Sequence, residues 1–314
     1  MKLASSLRLL WIRGLPDITG PRSFTTEKFV QSKYLTVSNA NAEDGLRLYA
    51  GNPANAVAYF SHEADRFASA SFESLLTGIK VAAYPRSTGW LLIRAYYAAF
   101  FAVHALLRLH GWACTRLSSN TVNRLNLELA QFFPSSPQLT GGLYLLRLQP
   151  DAREIVCQKM DGTTQGGTHE ALWSILNDYL ASATTTVLSV PDQDHQEFVM
   201  LAEQFKLLIG KFGGSSWFTQ LRNRINYTHE YGAWFPYTKS TCDYDRLEAV
   251  ISHWTGEPAD ALKIAGKDEL ILFMGACAFL VGACSTTIRD LAYRSKSRSP
   301  FRTSSGLILG NSMP

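Results

Sequence analysis

The sequence predicts an all-α protein, built as an antiparallel helical bundle with additional helices and an irregular N-terminal arm. Apolar residues recur at intervals of three and four along most of the chain, which is the period of an amphipathic helix. Strand signals are scarce, and the clearest is KYLTVSN, which begins at Lys33. Two long apolar stretches, near Trp90 and Leu270, have the composition of buried helices at the centre of a bundle.

Size and charge limit the possible functions. The chain has 314 residues, of which 46% are hydrophobic, and this suffices for a sizeable core. The formal net charge is only +4, and residues 289–302 account for this excess. A protein that wraps duplex DNA needs many more cations to neutralise phosphates, so the composition argues against that class and leaves room for a local anion site.

The same patterns predict three parts of the chain. Residues 1–50 are expected to form an arm rich in loops, and residues 51–290 are expected to form the helical domain. Residues 291–314 combine serine with basic side chains, a composition typical of a flexible tail.

Cysteine usage and apolar segments predict a cytoplasmic protein. The five cysteines are an odd number without a CxxC pair, which favours a reducing compartment over a disulfide framework or a zinc site. The opening MKLASSLRLLWIRG lacks the uninterrupted apolar core of a signal peptide. The apolar run at residues 270–284 is shorter than the roughly 20 residues that span a bilayer. We therefore expect a buried core helix there, with no membrane segment.

Helix signals follow in order along the first half of the helical domain. Pro53 is suited to the first turn of a helix, which continues through NAVAYFSHEADRF. After Pro85, Ser87 is a candidate N-cap for a helix that continues without a breaker to Gly111. This second helix is apolar on nearly all sides, so it should be the central, buried one.

Further helix signals follow in the second half. Thr168 can cap a helix through HEALWSILNDYLAS, and another helix is expected from His195 to the glycines at residues 213–214. Ser215 or Ser216 then caps SWFTQLRNRINYTHEY, which ends at Gly232. Two more helices are expected, over YDRLEAVISHW and over the run at residues 270–284.

The stretch LRNRINYTHEY, residues 221–231, gathers polar residues that suit catalysis. In an α-helix, Arg222 and His229 would lie within about 20° of each other around the axis and about 10.5 Å apart along it. Asn226 would share their face. An imidazole can exchange a proton with a ribose 2′-hydroxyl or a leaving oxygen at neutral pH, and a guanidinium can hold non-bridging phosphate oxygens. This pair would promote attack of the ribose 2′-oxygen on a phosphodiester without a metal or other cofactor.

Two stretches together resemble the HEPN superfamily of helical-bundle proteins. Its signature is an arginine, a polar residue that is commonly asparagine, and a histidine a few residues further on; Arg222, Asn223 and His229 match it. The helix IRAYYAAFFAVHALLRLHG is similar to the first long helix of many members. The resemblance covers about 40 residues of this chain, and the chain is roughly twice the size of a minimal HEPN toxin.

The resemblance implies a metal-independent endoribonuclease in a toxin or antiviral-defence role. It implies a 2′,3′-cyclic phosphate product, with His229 as acid or base, Arg222 as phosphate holder and Asn223 as an orienting residue. It also implies a homodimer, because the two motifs usually meet in a composite cleft, and a possible antitoxin or defence-system partner protein. Further candidate RNA contacts are Arg224, Asn226 and Arg94.

Tyr231 is a candidate site of regulatory modification. His229, Glu230 and Tyr231 resemble the His-x-Tyr ending of HEPN toxins whose tyrosine is nucleotidylated by an antitoxin. A tyrosine that packs the helix end before Gly232 is the alternative interpretation.

Two rival functions remain open from the sequence. The first is a non-catalytic HEPN-like module that binds RNA, a nucleotide or a protein. The second is an interaction protein of an unrelated helical fold, in which residues 221–231 form a solvated face. Local clusters at residues 62–65 (HEAD) and 192–195 (DQDH) each lack a full ligand set, so they are interpreted as caps or turns rather than as metal sites.

Overall fold

The protein is mostly helical, but it also contains a five-stranded antiparallel sheet. The computed structural model describes residues 2–20, 24–41, 45–79, 87–160, 167–191, 195–228, 230–264 and 266–310. The predicted helical majority is confirmed, and the prediction of a purely α-helical protein is wrong because of the sheet.

The N-terminal half of the chain contains both helices and strands. In order, the elements are α1 (Lys2–Leu9), a 3₁₀ turn (Leu15–Asp17), α2 (Thr26–Gln31), β1 (Leu35–Asn41), β2 (Gly45–Ala50), α3 (Pro53–Ile79), α4 (Thr88–Leu109), β3 (Trp112–Leu117), α5 (Ser119–Phe132), β4 (Gly142–Leu148) and β5 (Glu154–Lys159).

Among the described residues of the C-terminal half, the regular elements are all helices, joined by turns and loops. The elements are α6 (Gly167–Leu188), α7 (His195–Gly210), a 3₁₀ turn (Gly214–Ser216), α8 (Trp217–Asn223), a π-helix (Arg224–Thr228), α9 (Tyr244–Ser252), a 3₁₀ turn (His253–Thr255), α10 (Pro258–Leu262), α11 (Glu269–Arg294), α12 (Pro300–Thr303) and α13 (Ser305–Gly310).

The sheet has the strand order β1-β2-β5-β4-β3, with every neighbouring pair antiparallel. The strand signal at KYLTVSN overlaps β1, although the prediction for this region was an irregular arm of an all-α protein. In β2, GLRLYA alternates between buried and more exposed side chains, so a period-2 signal was present in the sequence. Strand β4 reads as a nearly continuous apolar run, which periodicity alone does not distinguish from a buried helix.

The two apolar helices lie in the core, as predicted. The Ser87 side chain caps α4 by accepting the N–H of Trp90, and Gly111 follows the end of α4 with a φ of 82°. Helix α11 is 26 residues long, so the 15-residue estimate of its length was too short. Both helices are long and apolar enough to cross a membrane, but 72% of the apolar window of α4 and 94% of that of α11 are buried inside the protein.

Both chain ends are more ordered than the sequence predicts. Within the predicted irregular arm, α1, α2, β1 and β2 bury Leu7, Phe29 and Leu48 in the common core. Within the predicted flexible tail, α12 and α13 bury Phe301 and Leu309. Burial of apolar residues in these two segments offsets the conformational entropy that is lost when the segments become ordered. The polar composition of the segments had obscured this contribution.

A buried ionic network links α2, α3 and α4. Glu63 Oε2 accepts Arg108 Nε at 2.6 Å and the hydroxyl of Thr26 at 2.8 Å. Arg108 also bonds His104 Nδ1 at 3.0 Å and donates to the carbonyl of Cys114 at 3.2 Å. Burial by itself would raise the pKa of Glu63, but the charge and hydrogen bonds of Arg108, with those of Thr26, lower it. The side chains of Arg108 and Glu63 are almost inaccessible to solvent, so the charge of each must be balanced by opposite charge inside the protein.

The HEAD segment is therefore used by the fold. Glu63 belongs to the ionic network, and Asp65 accepts the backbone N–H of Ser305 at 3.1 Å and its hydroxyl at 2.7 Å. Among the described residues, no group of three or more histidine, cysteine and acidic side chains is placed to hold a metal. Of the DQDH segment, only His195 lies within the described residues, where it begins α7.

Buried His110 makes the protein sensitive to acid. Burial lowers the pKa of His110 to about 3, and the unfolded chain takes up this proton near pH 6.5. The contribution of neutral His110 to the free energy of unfolding is therefore fully present above pH 6.5, and it is lost as the pH is lowered toward 3. We expect His110→Phe, which removes the titrating group, to reduce the loss of unfolding free energy between pH 7 and pH 4.5 by about 2–3 kcal/mol in urea titrations.

Tyr179→Phe is the matched control, because Tyr179 hydrogen-bonds His110 Nδ1 and its removal leaves the imidazole in place. This variant should keep the pH dependence of the wild type. The assignment is wrong if His110→Phe loses as much stability on acidification as the wild type does.

Candidate functional site

Arg222 lies near the end of α8 and is half-buried. Its Nη1 donates to Asn223 Oδ1 at 2.9 Å, and its guanidinium carbon is 5.7 Å from the centroid of the Tyr96 ring. Among the described residues, no carboxylate forms an ion pair with Arg222. A partly desolvated cation without an acidic partner favours an anion from outside the chain.

Tyr96 brings α4 and α6 together beside Arg222. The phenol of Tyr96 is fully buried and lies 2.9 Å from His169 Nδ1, while the indole Nε1 of Trp173 donates to the same oxygen at 3.3 Å. An indole N–H can only donate, so the phenol hydrogen is available for His169. His169 and Trp173 are four residues apart, which places both side chains on the same face of α6.

His169 is neutral at this site. Burial and, to a smaller extent, the positive charge of Arg222 lower its pKa to about 4. Its ring lies 4.3 Å from the ring of Phe100, which accounts for part of the burial. With Tyr96 as the donor to Nδ1, the arrangement that the Trp173 bond favours, the proton of the neutral imidazole is on Nε2. Arg222 and His169 thus combine a fixed charge with a neutral N–H, and together they can bind an oxyanion.

The helix that carries Arg222 changes its form two residues later. Residues Arg224–Thr228 form a π-helix rather than the continuous α-helix that the sequence predicts. Trp234 Nε1 donates to the carbonyl of Ile225 at 2.8 Å, and the Thr228 hydroxyl donates to that of Arg224 at 2.8 Å. A π-helix has wider turns, so the 100° spacing used to align Arg222 with residue 229 does not apply across it.

The other residues of the predicted motif have different surroundings. Asn223 is exposed and orients Arg222 through the bond already given, and Asn226 is half-buried on the π-helix. His229 lies outside the described residues, so its alignment with Arg222 stays a prediction.

Arg224, a predicted RNA contact, is held by two carboxylates. Its guanidinium pairs with Glu230 at 3.2 Å and with Glu269 at the start of α11, and it lies 5.3 Å from the centroid of the Tyr231 ring. An arginine with two acidic partners has little charge left for a phosphate. The structure therefore separates Arg222 from Arg224, which the sequence presents as similar.

Tyr231, the candidate modification site, also contacts Glu269. Its hydroxyl donates to Glu269 Oε2 at 2.6 Å, and Trp217 Nε1 donates to Glu269 Oε1 at 2.9 Å. Burial raises the pKa of Tyr231, and the bond and charge of Glu269 raise it further. These contacts give Tyr231 a structural role at the start of α11, while regulation through this residue stays a prediction.

Arg94 is not placed beside Arg222 by the contacts of α4. It precedes Tyr96 by two residues, so the two side chains point about 160° apart around the helix axis. Arg94 is half-buried, and its membership of the same cleft stays a prediction.

Sequence reasoning missed His169, Tyr96, Trp173 and Glu269. His169 and Trp173 are one turn apart in a predicted helix, a spacing that the sequence shows, but their partner Tyr96 is distant along the chain. Glu269 directly precedes the apolar run of α11, where an acidic residue favours a helix start.

No protein-family model, curated protein or solved structure matches this chain. The functional assignment consequently depends on the site itself and on the resemblance of the two stretches described above.

Proposed function

We propose that the protein is a metal-independent endoribonuclease of the HEPN kind. The observation that supports this most directly is the half-buried Arg222, which has no carboxylate partner among the described residues and lies beside Tyr96 and the neutral His169. A permanent cation and an N–H donor at one place suit the non-bridging oxygens of a phosphodiester.

The chemistry divides between the two histidines. His229 takes the proton of a ribose 2′-hydroxyl or returns one to the leaving 5′-oxygen, because an imidazole can act as general base or general acid. Attack of that 2′-oxygen on phosphorus gives a 2′,3′-cyclic phosphate and a 5′-hydroxyl. His169, with its pKa of about 4, donates from Nε2 without titrating, and Asn223 orients Arg222.

The test is incubation of the full chain with mixed cellular RNA in excess EDTA. Cleavage that leaves cyclic phosphate and 5′-hydroxyl ends is expected. Ends with a 3′-hydroxyl and a 5′-phosphate, or cleavage that EDTA abolishes, would contradict the proposal.

A non-catalytic binding module is the second candidate function. It is favoured by the low pKa of His169, since the described part of the site thereby lacks a group that titrates near neutral pH. Retained RNA binding without turnover in the same assay would support this alternative.

Exposed aromatic residues support a homodimer. They are Trp90, Tyr227 and Phe235, and the half-buried rings of Trp234 and Tyr237 pack against Trp90 and Phe235 respectively. The exposed fractions are 84% for Phe235, 72% for Tyr227 and 58% for Trp90. The rings of Trp90 and Trp234 are 5.3 Å apart, and those of Phe235 and Tyr237 are 6.1 Å apart. Exposed aromatic groups of this kind mark interaction surfaces, and Tyr227 lies on the π-helix after Arg222.

The double variant Tyr227→Ser, Phe235→Ser is expected to weaken dimerisation at least about tenfold, since interfacial aromatic residues often contribute more than 1 kcal/mol each. Sedimentation velocity over a range of protein concentrations measures the effect. Tyr293→Ser, which changes an aromatic residue of α11 that is 86% exposed, is the control and should leave dimerisation unchanged. A wild type that is monomeric at all concentrations would contradict the dimer.

One further proposal comes from the resemblance alone: an antitoxin or defence-system partner would control the nuclease. A cytoplasmic location is proposed from the cysteine usage and the apolar segments described above.

A further inference from the structure

One face of the sheet is basic and open to solvent. The opposite face is apolar, with Leu48, Ile155, Leu146 and Ala113 fully buried. Side chains alternate between faces along each strand, so the open face is given by the register row Arg47, Val156, Arg147 and Trp112, which crosses β2, β5, β4 and β3. Cys114 and Leu145 also belong to this face but are covered.

The basic sheet face is defined here as eight strand residues, all of them half-buried or exposed, and the residue that directly precedes β5 and whose side chain donates to the Tyr49 hydroxyl: Arg47, Tyr49, Trp112, Arg116, Arg147, Glu154, Val156 and Gln158, with Arg153.

Its arginines outnumber its acidic groups by four to one. Glu154 pairs with Arg47 at 3.4 Å, and among the described residues it is the one carboxylate of the basic sheet face. Arg147 donates to the amide oxygen of Gln158 at 2.8 Å, and Arg153 donates to the hydroxyl of Tyr49 at 3.1 Å. Three positive charges are therefore left uncompensated within the face, although the whole chain has a net charge of only +4.

Two aromatic rings accompany these charges. The guanidinium carbon of Arg147 is 5.2 Å from the centroid of the Trp112 ring. Tyr49 is 38% exposed and lies beside Arg153. Arginine guanidinium groups next to aromatic rings provide the combination that binds single-stranded nucleic acid, in which cations follow the backbone and rings stack on bases. Of the two rings, Tyr49 is exposed, whereas Trp112 is half-buried and its centroid lies 6.0 Å from that of the Tyr179 ring.

The dimensions of the basic sheet face suit a single-stranded nucleic acid of several nucleotides. From Arg47 to Trp112 the row crosses three strand intervals, or about 14 Å. From Trp112 to Arg116 along β3 the distance is about 13 Å. The charges are thus spread over a flat surface rather than gathered at one point, which favours an extended polyanion over a single small anion.

We propose that the basic sheet face binds single-stranded RNA. The choice of RNA over single-stranded DNA rests on the proposed function. Arg116 and Arg147 bind phosphates, and Trp112 and Tyr49 stack on unpaired bases.

The experiment measures fluorescence anisotropy of a fluorescein-labelled 2′-O-methyl oligouridylate of twelve nucleotides with the full chain. The 2′-O-methyl group blocks attack by the 2′-oxygen, so binding is read without cleavage. The double variant Arg116→Gln, Arg147→Gln should raise Kd at least about tenfold. It should also reduce the slope of log K against log salt by about 1.4, because each single-strand phosphate contact contributes about 0.7.

Arg13→Gln, Arg246→Gln is the matched control, since it removes the same charge from exposed positions outside the sheet. It should leave Kd and the salt slope unchanged. Equal weakening by both double variants would overturn the proposal, because charge alone would then explain it. Tyr49→Ser should raise Kd without changing the salt slope, as expected for stacking.

Binding by the basic sheet face and cleavage by the nuclease are tested by different results. Binding that depends on Arg116 and Arg147, without cleavage of unmodified RNA, supports the basic sheet face and contradicts the nuclease. Cleavage with an unchanged Kd in the sheet variant overturns the basic sheet face and leaves the nuclease standing. Binding of anionic phosphatidylserine vesicles through these arginines, with no binding of the oligonucleotide, also overturns it.

Discussion

Arg222→Gln is expected to slow RNA cleavage in EDTA by about 100-fold or more, because a preorganised group that stabilises charge in the transition state typically contributes two to three orders of magnitude. Glutamine keeps much of the length of the side chain but removes the charge and the fork that holds two phosphate oxygens. Single-turnover cleavage of one defined oligoribonucleotide measures the rate, and circular dichroism checks that the variant is folded.

Three companion variants test the site in more detail. Asn223→Asp places a carboxylate 2.9 Å from the guanidinium in the wild-type geometry, so it should pair with Arg222 and also reduce cleavage. His169→Phe should reduce cleavage by a smaller factor, since it removes one N–H donor but no charge. His229→Ala should lose about 10²–10⁴ in rate if it is the acid or base.

Arg246→Gln is the control for the loss of an exposed arginine and should cleave at the wild-type rate. Unchanged cleavage by Arg222→Gln would show that the phosphate is held elsewhere. Unchanged cleavage by His229→Ala with a loss in Arg222→Gln would instead transfer the proton-transfer role to another residue.

Arg108→Met is expected to destabilise the fold by about 3 kcal/mol, because buried Glu63 loses its buried counter-ion and keeps only the exposed Arg66, whose Nη2 lies 3.3 Å from Glu63 Oε1. Methionine retains an apolar side chain against the Phe67 ring, from whose centroid the guanidinium carbon of Arg108 is 4.6 Å away. The effect is therefore mainly electrostatic, and it is measured as the change in unfolding free energy in urea at pH 7.

The double variant Arg108→Met, Glu63→Gln should be more stable than Arg108→Met alone. Glutamine removes the buried negative charge that has lost Arg108, and its amide oxygen can still accept from the Thr26 hydroxyl. Lys263→Met removes one partner of an exposed pair with Asp260 and should cause no measurable change. A loss of less than 1 kcal/mol in Arg108→Met would show that water or another group compensates Glu63.

Helix limits were predictable because they depend on nearby residues. The Ser87 cap, the glycine after α4 and the start of α3 at Pro53 all follow from backbone requirements within one turn. The sheet was mostly missed because its pairing is non-local. Strand β2 pairs with β5 across most of the N-terminal half of the chain, and neither strand signals its partner.

The candidate site was predictable in part. Spacing in residues 221–231 singled out Arg222, but the α-helical geometry behind that choice fails at the π-helix. Tyr96 and His169 join the site through contacts between α4, α6 and α8 that no local pattern shows. The basic sheet face was inaccessible to sequence reasoning for the same reason, since its arginines belong to different strands.

By itself, the sequence determined the helical majority, the two buried apolar helices and the arginine-rich stretch, because periodicity and capping act over a few residues. Tertiary structure decided which arginine is available. Arg222 and Arg224 are two residues apart, yet Glu269 of α11 neutralises Arg224 and no carboxylate of the described residues reaches Arg222. Pairing of charges depends on distance in space, and folding alone sets that distance.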